Sequence, residues 1–369
     1  MILRNLHLTN FRNFKKLEVE LPQAVIVVGD NAQGKTNLLE AIYFLATSKS
    51  LRTQRDAQLI KQQEDHCWLE GEVEESQDSG HAMQNPEPMT KLEIGMQVIP
   101  EVEGRVEKRV RVNGVPRRMM DYVGHLVVVY FSPEDINLVT GSPSLRRQYM
   151  DLTLSQIDRD YKKASSIYSE TLTARNRLLK RVKEGVAKIS ELDFWTNNLI
   201  EAGNLIGEKR EKYFHQLNTF LGIMKQPQSL GKVYLSYQRN IISQERINEY
   251  LPREVEAVTS LIGPHRDDFA FELKGHNLAY YGSRGEQRTA VLELKLAELK
   301  FVKLETGMVP VLLLDDIFSE LDETHRRYVI SILGKQQTIL TAVETEEIPG
   351  EFLGMAKVIR VEKGILIKN

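Results

Sequence analysis

The stretch "VVGDNAQGKTNLLEAI", residues 27–42, joins an apolar run to an amphipathic helical pattern through a glycine-bounded loop. The octet Gly29-Asp30-Asn31-Ala32-Gln33-Gly34-Lys35-Thr36 fits G-x-x-x-x-G-K-T, and "AVIVVG" before it reads as a buried strand. Glycines let the backbone curl until successive N–H groups point at phosphate oxygens, and the helix that follows adds the positive end of its dipole. In such a loop Lys35 bridges the β- and γ-phosphates and Thr36 ligates Mg²⁺, with Asn37 beside them in the first turn. The pattern predicts a site for ATP and Mg²⁺.

A loop of this kind needs a carboxylate on a neighbouring strand. "VPVLLLDDIFSELD", residues 309–322, supplies it about 280 residues further on, as an apolar strand ending in Asp315-Asp316. Asp315 is expected to coordinate Mg²⁺, directly or through water. Asp316 is placed to accept a proton from the attacking water, which makes Asp316 and Lys35 the catalytic candidates.

A third segment, "YYGSRGEQRTAVLELKLAEL" at 280–299, opens a long helix with Ser283, Gly285 and Gln287 at alternate positions. A small-residue helix start is an anion site. Since the chain already has one phosphate loop, this second start is available to a phosphate bound by another copy. Ser283 with Glu286 three residues on also reads as a capping box, and the two readings are compatible.

Outward from these segments, strand patterns cover "MILRNLHLTNF", "KKLEVEL", "LEGEV", "KLEIGMQV" and "HLVVVYF" in the first 131 residues. The polar stretch 75–89 reads as a surface loop, and Asn113-Gly114 between short alternating runs reads as a two-residue hairpin turn. Residues 143–220 carry helical periodicity with little glycine or proline. Strand patterns return at 232–238 and 268–275, then a helix over 286–305, the acidic strand, a helix over 322–334 and final strands at 337–343 and 356–368. The predicted fold is α/β: an ATPase lobe from residues 1–140 and 226–369, interrupted by a helical lobe at 141–225.

The 369 residues are 41% hydrophobic and 27% charged, which reads as soluble and globular. No run approaches the roughly 18 apolar residues that cross a bilayer, and the N-terminus lacks a leader pattern, so a cytoplasmic location is expected. Cys67 stands alone and excludes an internal disulfide or a thiolate metal cluster. With a net charge of −2, any nucleic-acid surface must come from local clustering.

Together the phosphate loop, the Ser-x-Gly-x-Gln helix start, the acidic strand end and "SELD" resemble the head of ATP-binding-cassette ATPases related to structural maintenance of chromosomes proteins. More narrowly, the chain resembles the RecF family of bacterial DNA repair proteins. That match rests on "LTNFRNF" at 8–14, "GDNAQGKTNLLEAI", "FSPED" at 131–135, "GSPSLRRQYMDL" at 141–152, "GPHRDD" at 263–268, "GSRGEQRT" at 282–289 and "LLLDDIFSELD" at 312–322. The resemblance implies an ATP-dependent homodimer without long coiled-coil arms that binds double-stranded and gapped DNA and, with RecO and RecR, helps load RecA. It further implies a slow, DNA-stimulated ATPase with two ATP molecules sandwiched between the loop of one subunit and the Ser283 helix of the other. Residues 319–322 would then cross the dimer interface, and Arg12 would reach the nucleotide, although as a surface arginine it needs no such role.

Two departures stand out. Cassette ATPases commonly carry a metal-linking glutamine after an early strand, where this chain has Ser132-Pro133-Glu134-Asp135, and a histidine near the end of the strand at 337–343, where Thr341 is the nearest polar candidate. Slow hydrolysis is the expected consequence.

For DNA, Arg105, Lys108, Arg109, Arg111, Arg117 and Arg118 cluster on a hairpin against one acid, Glu107. Arg175, Arg177, Lys180, Arg181 and Lys183 form a second cluster on a helix. Such clusters contact phosphates without reading bases, or serve as a solvated charged edge. Trp68 and Trp195 read as packing residues. A transporter subunit and a P-loop kinase share parts of the pattern; the missing histidine and glutamine argue against the first, and the Ser283 helix start is of no use to the second.

Overall fold

The computed structural model describes residues 1–74, 89–100, 104–223, 232–319, 321, 323–330, 333 and 335–367. The chain divides into two compact units, residues 1–135 with 298–369, and residues 136–297.

In chain order the first unit contributes β1 (Ile2–Phe11), β2 (Phe14–Glu20), β3 (Ala24–Val28), β4 (His66–Glu74), β5 (Met89–Val98), β6 (Val106–Val112), β7 (Val115–Arg117) and β8 (Val128–Phe131). The second unit contributes β9 (Val233–Gln238), β10 (Asp268–Leu273) and β11 (His276–Asn277). The chain then returns to the first unit for β12 (Val311–Asp315), β13 (Thr338–Ala342), β14 (Lys357–Glu362) and β15 (Ile365–Ile367).

The first unit holds two six-stranded sheets, of order β2-β1-β4-β5-β6-β7 and β15-β14-β3-β13-β12-β8. The first is antiparallel; β2 alternates buried with exposed residues and β1 buried with half-buried ones, because one face is packed more fully than the other. In the second, β14, β3, β13, β12 and β8 run parallel, and β3, β12 and β13 are buried at every position. Burial on both faces explains why they are rich in Val, Ile and Leu. This register brings the C-terminal ends of β3, β12 and β13 together, so residues distant in sequence meet at one sheet edge.

Between β6 and β7, Asn113 and Gly114 have φ of 52° and 75°. Both positive values define the tight hairpin turn that the Asn-Gly pair predicts. Buried Gln337 joins the two sheets: its Oε1 accepts the Leu3 N–H at 2.7 Å, and its amide donates to the carbonyls of Leu3 and Leu21. Nothing in the sequence pattern singled it out.

The second unit is built on the helices Pro143–Ile157, Arg159–Lys183, Asp193–Ile223 and Gln244–Ala257 and a three-stranded sheet, β11-β10-β9. The single helical pattern read over 143–220 is thus three helices. The boundary differs too: the sequence pattern places 226–297 in the ATPase lobe, whereas its described part clusters with the helices. The reason is packing: Asn218 on the Asp193–Ile223 helix bonds both backbone groups of Leu235 in β9, and Phe214 stacks on Tyr237 at 4.9 Å. Trp195 packs with Leu178, Leu179 and Leu192, as expected of a core residue. The helix Arg284–Thr306 runs from the second unit into the first.

Candidate functional site

The loop after β3 has the backbone its glycines predict. Gly29 has φ of 156° and a Cβ there would stand 2.3 Å from the Val361 carbonyl oxygen; Gly34 has φ of 121° and a Cβ would meet the Asn13 amide at 2.6 Å. Asp30, Asn31 and Ala32 form the exposed crest, with Ala32 in the left-handed region at φ of 64°. The loop is held from both sides. Asn13 donates to the Gln33 carbonyl at 2.8 Å and accepts from the Asn37 amide at 2.9 Å, while the Lys363 N–H donates to Gln33 Oε1 at 2.7 Å.

Lys35 and Thr36 start the helix Lys35–Thr47, whose N-terminus has no side-chain cap and no acid in its first turn. Its unpaired N–H groups and positive end are therefore available to an anion. Lys35 is buried, with its ammonium donating to the loop's own carbonyls at Gly29 and Asp30. The charge is kept beside the backbone that a triphosphate would lie on.

Asp315, at the end of β12, meets this helix directly. Its Oδ1 accepts from the Thr36 hydroxyl at 3.0 Å and from the Thr341 hydroxyl at 2.7 Å, and its Oδ2 accepts from the Tyr130 phenol at 2.7 Å. The phenol is a firm donor, since burial and the neighbouring carboxylate push its pKa well above the ordinary value. Asp316 follows with φ of 50°, and its N–H donates to Thr341 Oγ1 at 2.9 Å. The left-handed conformation at Asp316 ends the strand immediately after Asp315.

Asp315 and Thr36 offer hard oxygen donors of the kind Mg²⁺ takes. Among the described residues no group of three or more His, Cys, Asp or Glu could hold a metal ion. The donor set fits an ion that arrives with phosphate oxygens, as Mg²⁺ does in nucleotide sites. A cavity of about 330 Å³ also touches Gly29, Asp30 and Gln33, but neither Lys35, Thr36 nor Asp315 lines it. Its lining has four carboxylates to one arginine, Arg360, so it does not suit a triphosphate.

Arg12 pairs with the helix that follows the loop. Its guanidinium forms a two-pronged pair with the buried Glu40 carboxylate, both bonds at 2.8 Å, and donates to the Gln58 carbonyl. Glu40, which no motif marks, also accepts from the Ser50 hydroxyl at 2.6 Å.

The Ser283 segment lies in the second unit. Ser283 and Glu286 form the capping box: the Glu286 carboxylate accepts from the Ser283 N–H at 2.8 Å and hydroxyl at 2.9 Å. Gln287 is buried and donates to the carbonyls of Leu278 and Gly282, so it shapes the turn before the helix. Gly285 is exposed, and among the described residues no atom beyond its chain neighbours and its own helix backbone lies within 4 Å of where its Cβ would stand. Of residues 319–322, Glu320 and Asp322 lie outside the described residues; the Ser319 hydroxyl donates to the Asp316 carbonyl at 2.8 Å.

On the β6–β7 hairpin the basic residues separate. Arg105, Arg109, Arg111, Arg117 and Arg118 are exposed, with Arg109 beside Glu107 at 3.0 Å and Arg111 over the Trp68 ring at 5.9 Å. Lys108 points the other way, 2.7 Å from Asp56 and 4.9 Å from the centre of the Phe44 ring. Arg175, grouped by sequence with a surface cluster, is fully buried and paired with Glu254 at 2.6 Å. Its helical position faces the core, which a list of charges does not reveal.

A phosphate loop on a parallel sheet, joined to an acidic strand end and accompanied by a separate serine-led helix, defines a P-loop ATPase of the cassette type. The family model described as "RecF/RecN/SMC N terminal domain" matches residues 2–364. The chain is 35% identical over 393 residues to the DNA replication and repair protein RecF of Bacillus velezensis, covering 100% of both. It is 35% identical over 387 residues to the protein of that name from Staphylococcus aureus, again with 100% of both covered. By structure it is similar to the recombination mediator protein RecF with ATP, of the RecFOR pathway, at a TM-score of 0.86 and 31% identity, covering 100% of this chain and 97% of that one. The Smc head domain of Pyrococcus furiosus shares the fold at a TM-score of 0.53 and 16% identity, covering 99% of this chain and 94% of that one. The chain belongs to the RecF family.

Proposed function

We propose that this protein is an ATP-binding recombination mediator that binds double-stranded and gapped DNA as an ATP-closed homodimer, and that slow ATP hydrolysis releases it. The observation that carries the reading is the 3.0 Å hydrogen bond from Thr36 to Asp315, which joins the phosphate loop to an acid 279 residues away. In this reading Lys35 exchanges its carbonyl partners for the β- and γ-phosphate oxygens, and the free N–H groups of its helix take the remaining charge. Thr36 and Asp315 would hold Mg²⁺ together with the phosphates, and the ion would supply charge neutralisation there. Asp316 accepts the proton of the attacking water, its backbone fixed by Thr341.

The second copy completes each site with Ser283 and Gly285. Gly285 is compatible with this: it is exposed, and a glycine lets another group approach the backbone closely. The relatives' role in replication and repair, and the RecFOR pathway of the structural neighbour, make RecO, RecR and RecA the expected partners. The exposed arginines of the β6–β7 hairpin are the proposed DNA contacts.

Mixing subunits tests the shared site. Lys35→Ala and Ser283→Ala proteins should each be inactive, while their mixture regains ATP turnover because one of the two sites in a hybrid is intact. A mixture that associates and stays inactive overturns the shared site.

A further inference from the structure

We infer that Tyr130 is the positioning residue for the metal-binding acid, acting through Asp315 to set which way its carboxylate faces. The inference rests on the reading of Asp315 as the Mg²⁺ ligand and adds a residue to it.

The carboxylate torsion is a broad, weakly preferred one, so Asp315 must be oriented by its surroundings. Oδ1 is tied to Thr36 and Thr341, and Oδ2 to the Tyr130 phenol. These three hydroxyls come from three separate elements: the loop helix, β13 and β8. Thr36, even where its oxygen would ligate the ion through a lone pair, keeps its proton for Oδ1, so both threonines hold the same carboxylate oxygen. A carboxylate held at one oxygen can still rotate. Tyr130 prevents that by holding the other.

Tyr130 is itself well fixed. In β8 it sits opposite Leu313 of β12, and its ring meets that of Tyr43 edge-on at 5.9 Å and 65°. Tyr43 lies on the helix that starts with Lys35. One phenol is therefore braced against the phosphate-binding helix and bonded to the metal carboxylate. Nothing in the loop or the acidic-strand pattern reaches residue 130, which is why the sequence did not show it.

Tyr130→Phe keeps the ring against Tyr43 and removes only the hydroxyl. The measurement is Mn²⁺ affinity of the ADP-bound protein by electron paramagnetic resonance, alongside ADP affinity without metal. The expected result is a loss of about tenfold in Mn²⁺ affinity, the scale of losing a hydrogen bond to a ligating carboxylate, with metal-free ADP affinity unchanged. Tyr130→Phe combined with Asp315→Asn should bind Mn²⁺ no more weakly than Asp315→Asn alone. Unchanged Mn²⁺ affinity in Tyr130→Phe, or additive losses in the double variant, overturns the role of Tyr130. If Asp315→Asn alone keeps full Mn²⁺ affinity, it is the metal-site reading that falls.

Discussion

Thr341 bridges the two acids at the end of β12: its hydroxyl donates to Asp315 at 2.7 Å and accepts the N–H of Asp316 at 2.9 Å. The side chain is buried, so this residue, marked by its place on the strand, works as an internal tether. Thr341→Val keeps the shape and removes both bonds, leaving a buried N–H without its acceptor. A loss of about 1–3 kcal/mol is expected, read from the denaturant midpoint, with Thr341→Ser close to the parent. ATP turnover should fall in the valine variant even where it is fully folded, because the Asp316 backbone is no longer fixed.

Arg175 and Glu254 form an ion pair with no exposure on either side chain. Ser260 and Thr196 take further guanidinium N–H groups, and the Leu261 N–H donates to Glu254, so the pair is satisfied inside the second unit. Arg175→Met strands a buried carboxylate and should cost about 3–5 kcal/mol of stability in chemical denaturation. Arg175→Met with Glu254→Leu should recover much of that loss. A mild effect of the single change would mean that water reaches Glu254.

Lys108 and Arg109 are neighbours on β6 with opposite fates. Lys108 is bound to Asp56 and the Ser48 carbonyl, whereas Arg109 is exposed. Lys108→Met should lower stability by about 1 kcal/mol and leave the salt dependence of DNA binding unchanged. Arg109→Ala and Arg111→Ala should each weaken DNA binding across sequences and reduce the slope of log affinity against log salt by about 1. Equal slopes in all three variants would remove the hairpin from the DNA surface.

The site was legible in sequence where a local pattern implies a backbone shape. Gly29 to Thr36 specify the loop, Asp315 ends an apolar strand, and Asn113-Gly114 turn where such a pair must. What stayed hidden depends on facing and pairing across the sheet. Tyr130 and Gln337 reach their partners over 185 and 334 residues, and no spacing rule connects them. Charge counting fails at Lys108 and Arg175 for the same reason: a basic residue on the packed face of an element whose other face is exposed can be an internal partner. The strands β9 and β10 looked like a return to the main sheet because their alternation is the same whichever helix covers them.

Glu293 lies buried on the helix Arg284–Thr306, and burial raises its carboxyl from 4.5 to about 7. A group that holds its proton more tightly when folded stabilises fully below pH 4.5 and loses that contribution as pH rises through about 7. Stability should therefore decline over this interval by up to about 3 kcal/mol from this group. Glu293→Gln keeps the neutral shape at every pH. Denaturation midpoints compared at about pH 4 and about pH 8 should show the variant gaining on the parent at the higher value. Parallel curves would show that Glu293 is ionised in the folded protein throughout.

Gly285 and Gly29 make opposite demands. A methyl at Gly29 would collide with the Val361 carbonyl at 2.3 Å, so Gly29→Ala should distort the loop and abolish nucleotide binding. A methyl at Gly285 meets nothing among the described residues, and alanine is a better helix former than glycine. Gly285→Ala should accordingly raise the melting stability of the isolated chain, by up to about 1 kcal/mol. It should also block nucleotide-driven dimerisation in size-exclusion chromatography, because in the proposed dimer the methyl would stand where the partner's triphosphate approaches. A variant that is more stable alone and unable to pair would separate the needs of folding from those of function at one atom. If Gly285→Ala dimerises with ATP as fully as the parent, the space around this glycine is not kept for a second copy.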